Sequence, residues 1–146
     1  MLADLLARFR RPDDAAPLPP EDARLALTAL MVRAARADGD FDAHERAEIL
    51  AVLSDRYALV GPGAEALLAE AETAEAEAPD TFRFASLIRR TIPHEDRAAV
   101  LEALWRVALS DGGRDPEEDA LLRQVSALIG VTDQDSARAR RRAEDR

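Results

Sequence analysis

Carboxylate side chains gather in two short segments of the sequence, residues 38–45 and 111–118. Oxygen ligands of this kind select hard cations such as Ca²⁺ or Mg²⁺. The sequence therefore predicts a divalent-cation site, with Ca²⁺ or Mg²⁺ as the cofactor. The candidate ligands are Asp38, Asp40, Asp42, Glu45, Asp111, Asp115 and Glu118. If only one segment binds an ion, we expect the first, because the second has Gly113 in place of Asp40.

Four of these carboxylates have a second interpretation, as helix caps. Asp42 and Asp115 each precede a helical segment, and Glu45 and Glu118 follow them by three residues. In a capping box the Asp accepts a hydrogen bond from an unpaired amide of the first turn, and the Glu accepts one from the amide of the cap residue. This interpretation explains the four residues without an ion.

Asp38 and Asp111 need another explanation, because each lies at the C-terminal end of a helical segment. The helix dipole disfavours an anion there by about 0.3–1 kcal/mol. Either the amides of the following turn offset this cost, or a cation shared with the neighbouring carboxylates does. The segment is not an EF-hand. Counted from Asp38, Ala43 takes the place of the invariant glycine and Ile49 that of the bidentate glutamate.

Residue types that other chemistry would need are missing from the sequence. It has no cysteine, which excludes disulfides, thiolate metal sites and cysteine nucleophiles. His44 and His94 are its two histidines, and neither lies in the Glu-x-x-His motif of di-iron bundles. We expect both in exposed first turns of helices, and Trp105 in the core. The sequence has neither a glycine-rich phosphate loop nor a nucleophile elbow, so we expect no enzymatic activity.

Length and composition predict a single all-α domain. Of the 146 residues 47% are hydrophobic but only 4% aromatic, so the core must consist mostly of aliphatic side chains, many of which favour helix. A net charge of −9 argues against nucleic acid as a partner. No apolar run approaches the roughly 20 residues that span a bilayer, and the N-terminus lacks the features of a secretory signal. We therefore expect a cytoplasmic location.

Residues 1–20 are expected to form an amphipathic helix and a proline-rich tether. The apolar stripe of that helix has helical spacing and consists of Leu2, Leu5, Leu6 and Phe9. It could bind a protein partner or the surface of a membrane, or it could pack on its own domain. The domain itself is expected over residues 21–142, with a charged tail over residues 143–146.

Apolar periodicity predicts two long helices that lead into the acidic segments. The first runs from Glu21 to Ala37, is apolar on most sides and should be central and largely buried. Gly39 suits the left-handed position after its end. The second starts at Ile92-Pro93, because proline suits the first helical position, and runs to about Ser110.

Turn residues predict where other elements begin and end. Gly61-Pro62-Gly63 is expected to break the chain. Pro79-Asp80 should start a short helix, and Thr132 should cap a last helix that frays from Arg138 onward. This short helix should carry Phe82, Phe84, Leu87 and Ile88.

The two acidic segments belong to an internal repeat with an offset of 73 residues. The offset pairs Asp38 with Asp111, Gly39 with Gly112, Asp42 with Asp115, Glu45 with Glu118, Ile49 with Leu122, Leu27 with Val100, Met31 with Leu104, and Val32 with Trp105. Each helix–loop–helix unit would leave an apolar face open. Packing the two halves on each other buries both faces.

Two copies of the pattern A-x-x-D-G-x-x-D-x-x-E, starting at Ala35 and Ala108, resemble the TerB-like (tellurite-resistance) family. The resemblance covers roughly Glu21 to Arg142. It implies a compact bundle of about seven helices with pseudo-twofold symmetry and an acidic surface that binds metal ions. It also implies a partner protein, rather than an enzyme, in tellurite resistance or another stress system.

Three functions remain as hypotheses from the sequence. The first is a non-catalytic TerB-like binding module of a stress response, with a divalent-cation site at its acidic loops. The second is an adaptor tethered to a membrane or a protein partner through residues 1–11, whose acidic residues are only helix caps. The third, an enzyme with a carboxylate-only metal centre, is disfavoured because no general base of tuned pKa accompanies the acids.

Overall fold

The computed structural model describes residues 20–37, 39, 41–110 and 115–145. This part of the chain contains α-helices and one 3₁₀ turn, with no strand, which confirms the predicted all-α bundle. The elements are α1 (Pro20–Arg36), α2 (Ala43–Tyr57), α3 (Gly61–Glu77), α4 (Phe82–Thr91), a 3₁₀ turn (His94–Asp96), α5 (Arg97–Ala108), α6 (Pro116–Leu128) and α7 (Asp133–Glu144).

Helix α1 is the centre of the bundle. It packs against α2, α3, α4, α5 and α6. Residues 25–32 are all buried, because apolar or small side chains occupy every side of this stretch. The one hydroxyl in that stretch belongs to Thr28. It donates a hydrogen bond to the carbonyl of Arg24 at 2.7 Å, so it needs no partner outside the helix. The predicted central helix is confirmed.

The repeat extends to three helices in each half, α1–α3 and α5–α7, joined by α4. In each half the first helix packs closely on the third. The halves also interlock, since α1 packs on α5, α2 packs on α5, and α6 packs on α1. The apolar pairs related by the 73-residue offset are buried in both halves. The sequence match fades after the second helix of each half, but the packing of the third helices continues the relation.

The chain turns before Gly61 rather than through the Gly61-Pro62-Gly63 segment. These three residues begin α3, and Pro62 occupies its first turn, where a missing N–H costs nothing. The turn is made by residues 58–60. Ala58 ends α2 with φ +56°, a left-handed conformation that L-residues rarely adopt.

The two phenylalanines of α4 lie on different faces of the helix. The side chain of Phe82 is 55% exposed, whereas Phe84 and Ile88 on the same helix are fully buried. Positions two residues apart on a helix point to nearly opposite sides, so Phe82 and Phe84 cannot share one face. The buried face of α4 consists of Phe84, Ala85, Leu87 and Ile88.

The last helix continues to Glu144 instead of fraying from Arg138. It packs against α5 along its length, burying Ala139 and Ala143. Arg142 also donates to Glu102 of α5 at 3.2 Å. Small residues at a helical spacing supply enough close packing to hold this otherwise arginine-rich segment.

Candidate functional site

The start of α2 forms the predicted capping box. Oδ1 of Asp42 accepts the N–H of Glu45 at 2.8 Å, and Oε1 of Glu45 accepts the N–H of Asp42 at 3.2 Å. The extended backbone of Asp42 turns the preceding chain away from the helix axis. Glu45, the last acidic residue of the first segment, is therefore fixed in the first turn of α2.

At the start of α6, Asp115 caps two amides. Its Oδ1 accepts the N–H of Glu117 at 2.8 Å and that of Glu118 at 3.3 Å. Pro116 occupies the first turn of the helix. Asp42 and Asp115 thus have the same role in the two halves, as the repeat predicts.

Glu45 and Glu118 are the least expected feature of the two segments, because each is only 1% exposed. Glutamate is almost never fully buried unless it is paired, since removal of a carboxylate from water is costly. A sequence signal for this burial exists. Glu45 lies four residues before the buried Ile49, and Glu118 lies four before the buried Leu122, so each shares the inward face of its helix.

Several predicted site residues lie outside the described residues. These are Asp38, Asp40, Asp111 and the N-terminal stripe of Leu2, Leu5, Leu6 and Phe9. Within the described ranges, no group of three or more acidic or histidine side chains has the arrangement of a metal site. Of the seven candidate ligands, the structure describes Asp42, Glu45, Asp115 and Glu118.

The two histidines and the tryptophan lie where the sequence placed them. His44 and His94 are exposed. Nε2 of His94 lies 3.1 Å from the carbonyl oxygen of Gly130, which ties the 3₁₀ turn to the end of α6. Trp105 is buried in the core, with its indole N–H donating to Oγ of Ser136 at 3.4 Å.

Arginine side chains that join helices were missed by sequence reasoning. Arg33 of α1 donates to Oε2 of Glu75 at 3.0 Å, and also to the carbonyls of Glu75 and Ala78 and the hydroxyl of Thr81. Its guanidinium thereby fixes the end of α3 and the start of α4. No local pattern signals such a contact, because its partners lie more than 40 residues away.

A second arginine joins the two halves of the repeat. Arg106 of α5 contacts Glu48 at 2.7 Å and Asp55 at 3.1 Å, both on α2. The side chain of Arg106 is 9% exposed, so its ion pair with Glu48 is screened by salt less than a surface ion pair would be. The ion pair of Arg46 and Glu65 is exposed and lacks this shielding. The hydrogen bond from Arg46 nevertheless lowers the pKa of the Glu65 carboxyl.

A family model described as tellurite resistance protein TerB matches residues 24–141. The chain belongs to the TerB family. The match extends from α1 to α7 and includes both acidic segments. Comparison with curated proteins and with solved structures gave no significant match.

The TerB match confirms the family that the two A-x-x-D-G-x-x-D-x-x-E patterns indicated. In the described part of this TerB domain, no helix combines the length and apolar character needed to cross a bilayer.

Proposed function

We propose that this TerB domain is a non-catalytic binding module of a stress response, of the tellurite-resistance type. In this proposal its acidic loops bind a divalent cation, Ca²⁺ or Mg²⁺, and it acts through a protein partner. The observation that carries the cation site is the pair of buried glutamates, Glu45 and Glu118, at matching positions beside the two acidic segments.

Burial strengthens the attraction of a carboxylate for a cation. The effective dielectric constant falls away from water, so a charge close to Glu45 interacts with it more strongly than with an exposed glutamate. Asp42 is held next to Glu45 by the capping box. The first loop would therefore offer a cation two positioned carboxylates, together with those of Asp38 and Asp40 in the adjoining sequence.

The sequence of the first loop also favours a cation electrostatically. Asp38, Asp40, Asp42 and Glu45 lie within eight consecutive residues, so their negative charges repel one another. A divalent ion relieves this repulsion. It would also lie near the C-terminal end of α1, where the helix dipole favours positive charge.

Thermal unfolding with added ions tests this proposal. A ligand that binds only the folded protein stabilises it by RT ln(1 + [L]/Kd), about 2.7 kcal/mol at a hundredfold excess over Kd. Millimolar Ca²⁺ or Mg²⁺ at fixed ionic strength should therefore raise the melting temperature. Asp38→Asn should remove most of that rise, and Asp111→Asn should remove less.

The matched control is Glu70→Gln, which removes one negative charge from α3, a helix that belongs to neither acidic segment. It should leave the response to ions unchanged. Equal melting curves in calcium, magnesium and a sodium control would refute the cation site. The acidic residues would then be turns and caps alone.

A further inference from the structure

The outer face of α4 forms one wall of an open cleft with a volume of about 280 Å³. Four residues of this helix lie on that face because they follow one another at helical spacing. The end of α6 and the start of α5 complete the cleft. Its lining consists of Phe82, Ser86, Arg89, Arg90, Arg97 and Leu128.

The charge of this cleft is opposite to that of the protein. Three arginines and no acidic residue of the described chain line it, although the whole protein has a net charge of −9. Two other clefts are lined by both signs. One includes Asp119, Arg123, Asp133 and Arg140, and the other Asp55, Arg56, Glu102 and Arg106. The α4 cleft is therefore a local region of positive potential, which attracts anions.

Arg97 makes the cleft wall rigid. Its guanidinium donates to the carbonyls of Arg89 at 3.0 Å, Ile92 at 3.0 Å and Ile129 at 3.2 Å. These carbonyls lie at the C-terminal ends of α4 and α6, which carry partial negative charge. The bonds offset that charge and leave two of the five guanidinium N–H groups for another acceptor.

Arg89 and Ser86 supply further donors. The Arg89 side chain is exposed, and among the described residues it has no acidic partner. Ser86 lies one helical turn before Arg90 on the same face. Phe82 lies seven residues before Arg89, about 10 Å along the helix, and presents an exposed ring at the other end of the cleft.

We propose that this cleft binds the phosphate group of a phosphorylated ligand, with an apolar part of the same ligand against Phe82. Arginine matches phosphate geometry through paired N–H donors, and a phosphate has enough oxygens to accept from Arg89, Arg97 and Ser86 together. Two sources share this chemistry: a soluble phosphate ester with an aromatic group, such as a nucleotide, and a phospholipid headgroup.

Calorimetric titration of the full chain with ATP and with inorganic phosphate tests the proposal. EDTA in the buffer keeps divalent ions away from the acidic loops, so the result is independent of the cation site. Saturable binding is expected for the soluble source. Arg89→Gln should weaken it about tenfold, the contribution of one hydrogen bond to a charged group. Phe82→Ser should weaken ATP about fivefold or more by loss of stacking, with no effect on inorganic phosphate.

Arg83→Gln is the matched control. Arg83 lies on the same helix and carries the same charge, but it does not line the cleft. This variant should bind ATP as the unmodified chain does. Circular dichroism melting of the three variants would show that each stays folded, as expected for substitutions at these partly or largely exposed positions.

Flotation with vesicles distinguishes the two sources. Binding to phosphatidylcholine vesicles only when phosphatidic acid is present, with loss in Arg89→Gln and not in Arg83→Gln, would assign the phosphate to a lipid. Saturable ATP binding with the same dependence would assign it to a soluble ester. No saturable binding to any of the probes, or equal losses in both arginine variants, would overturn the proposal.

Discussion

The C-terminal ends of α2 and α6 make a paired prediction about backbone strain. Both helices end in a left-handed residue, Ala58 with φ +56° and Gly130 with φ +75°. For an L-residue this conformation costs about 1–2 kcal/mol, whereas glycine adopts it without penalty. A glycine at the same position lowers the free energy of unfolding by about 0.4–1 kcal/mol, because it makes the unfolded chain more flexible. The strain relieved exceeds the flexibility cost, so Ala58→Gly should raise the free energy of unfolding by about 0.5–1 kcal/mol.

The reverse substitution, Gly130→Ala, should destabilise the protein by a similar amount. Packing does not complicate either variant. Ala58 is exposed, and a Cβ on Gly130 would approach only Nη1 of Arg97, at 3.9 Å, an ordinary van der Waals distance. The bonds that close the turn, such as that from the Val131 amide to the Ser126 carbonyl at 2.9 Å, use main-chain groups that both variants keep.

Urea denaturation followed by circular dichroism measures both effects as shifts of the midpoint at constant slope. Opposite signs are expected for the two variants. A loss of stability in Ala58→Gly as large as that in Gly130→Ala would refute the reasoning, because it would mean that the flexibility gained by the unfolded chain outweighs the strain relieved at residue 58.

Three further predictions concern the caps, the N-terminal segment and one exposed ion pair. Asp42→Ala and Asp115→Ala should each cost about 0.5–2 kcal/mol in urea denaturation; unchanged midpoints would contradict the caps. Deletion of residues 1–18 should leave the melting temperature nearly unchanged, and a large loss would show that this segment packs on the domain. Because Arg46 lowers the pKa of Glu65, their pair stabilises the protein above the ordinary pKa of glutamate and stops doing so as the pH falls through the lowered value. Glu65→Gln should therefore lower the melting temperature slightly near neutral pH and leave it unchanged in strong acid. Equal shifts at both pH values would contradict this.

The features that the sequence predicted correctly are governed by local chemistry. Asp42 and Glu45 are three residues apart, and a capping box needs only that spacing and a helix start. The repeat was visible because both halves place apolar residues at the same positions. Pro116 and Gly130 mark the start and end of α6 through backbone restrictions that act on single residues.

What the sequence did not reveal depends on contacts between distant segments. Arg33 binds groups on α3 and α4 that no spacing rule connects to it. The exposed position of Phe82 required knowledge of which residues of α4 face the core. The α4 cleft likewise arises only when Arg97, from the following helix, meets Arg89.

The interlocked packing of the two halves has a consequence for how such a domain could arise. Because α2 packs on α5 and α6 packs on α1, each half completes its core with helices of the other. A single half would find the same contacts only in a second copy of itself, as an isologous dimer whose stability depends on concentration. Helix α4 makes that association covalent, so the contact between the two halves of one chain does not depend on its concentration. It also lets the two acidic segments diverge, as Asp40 and Gly113 already have.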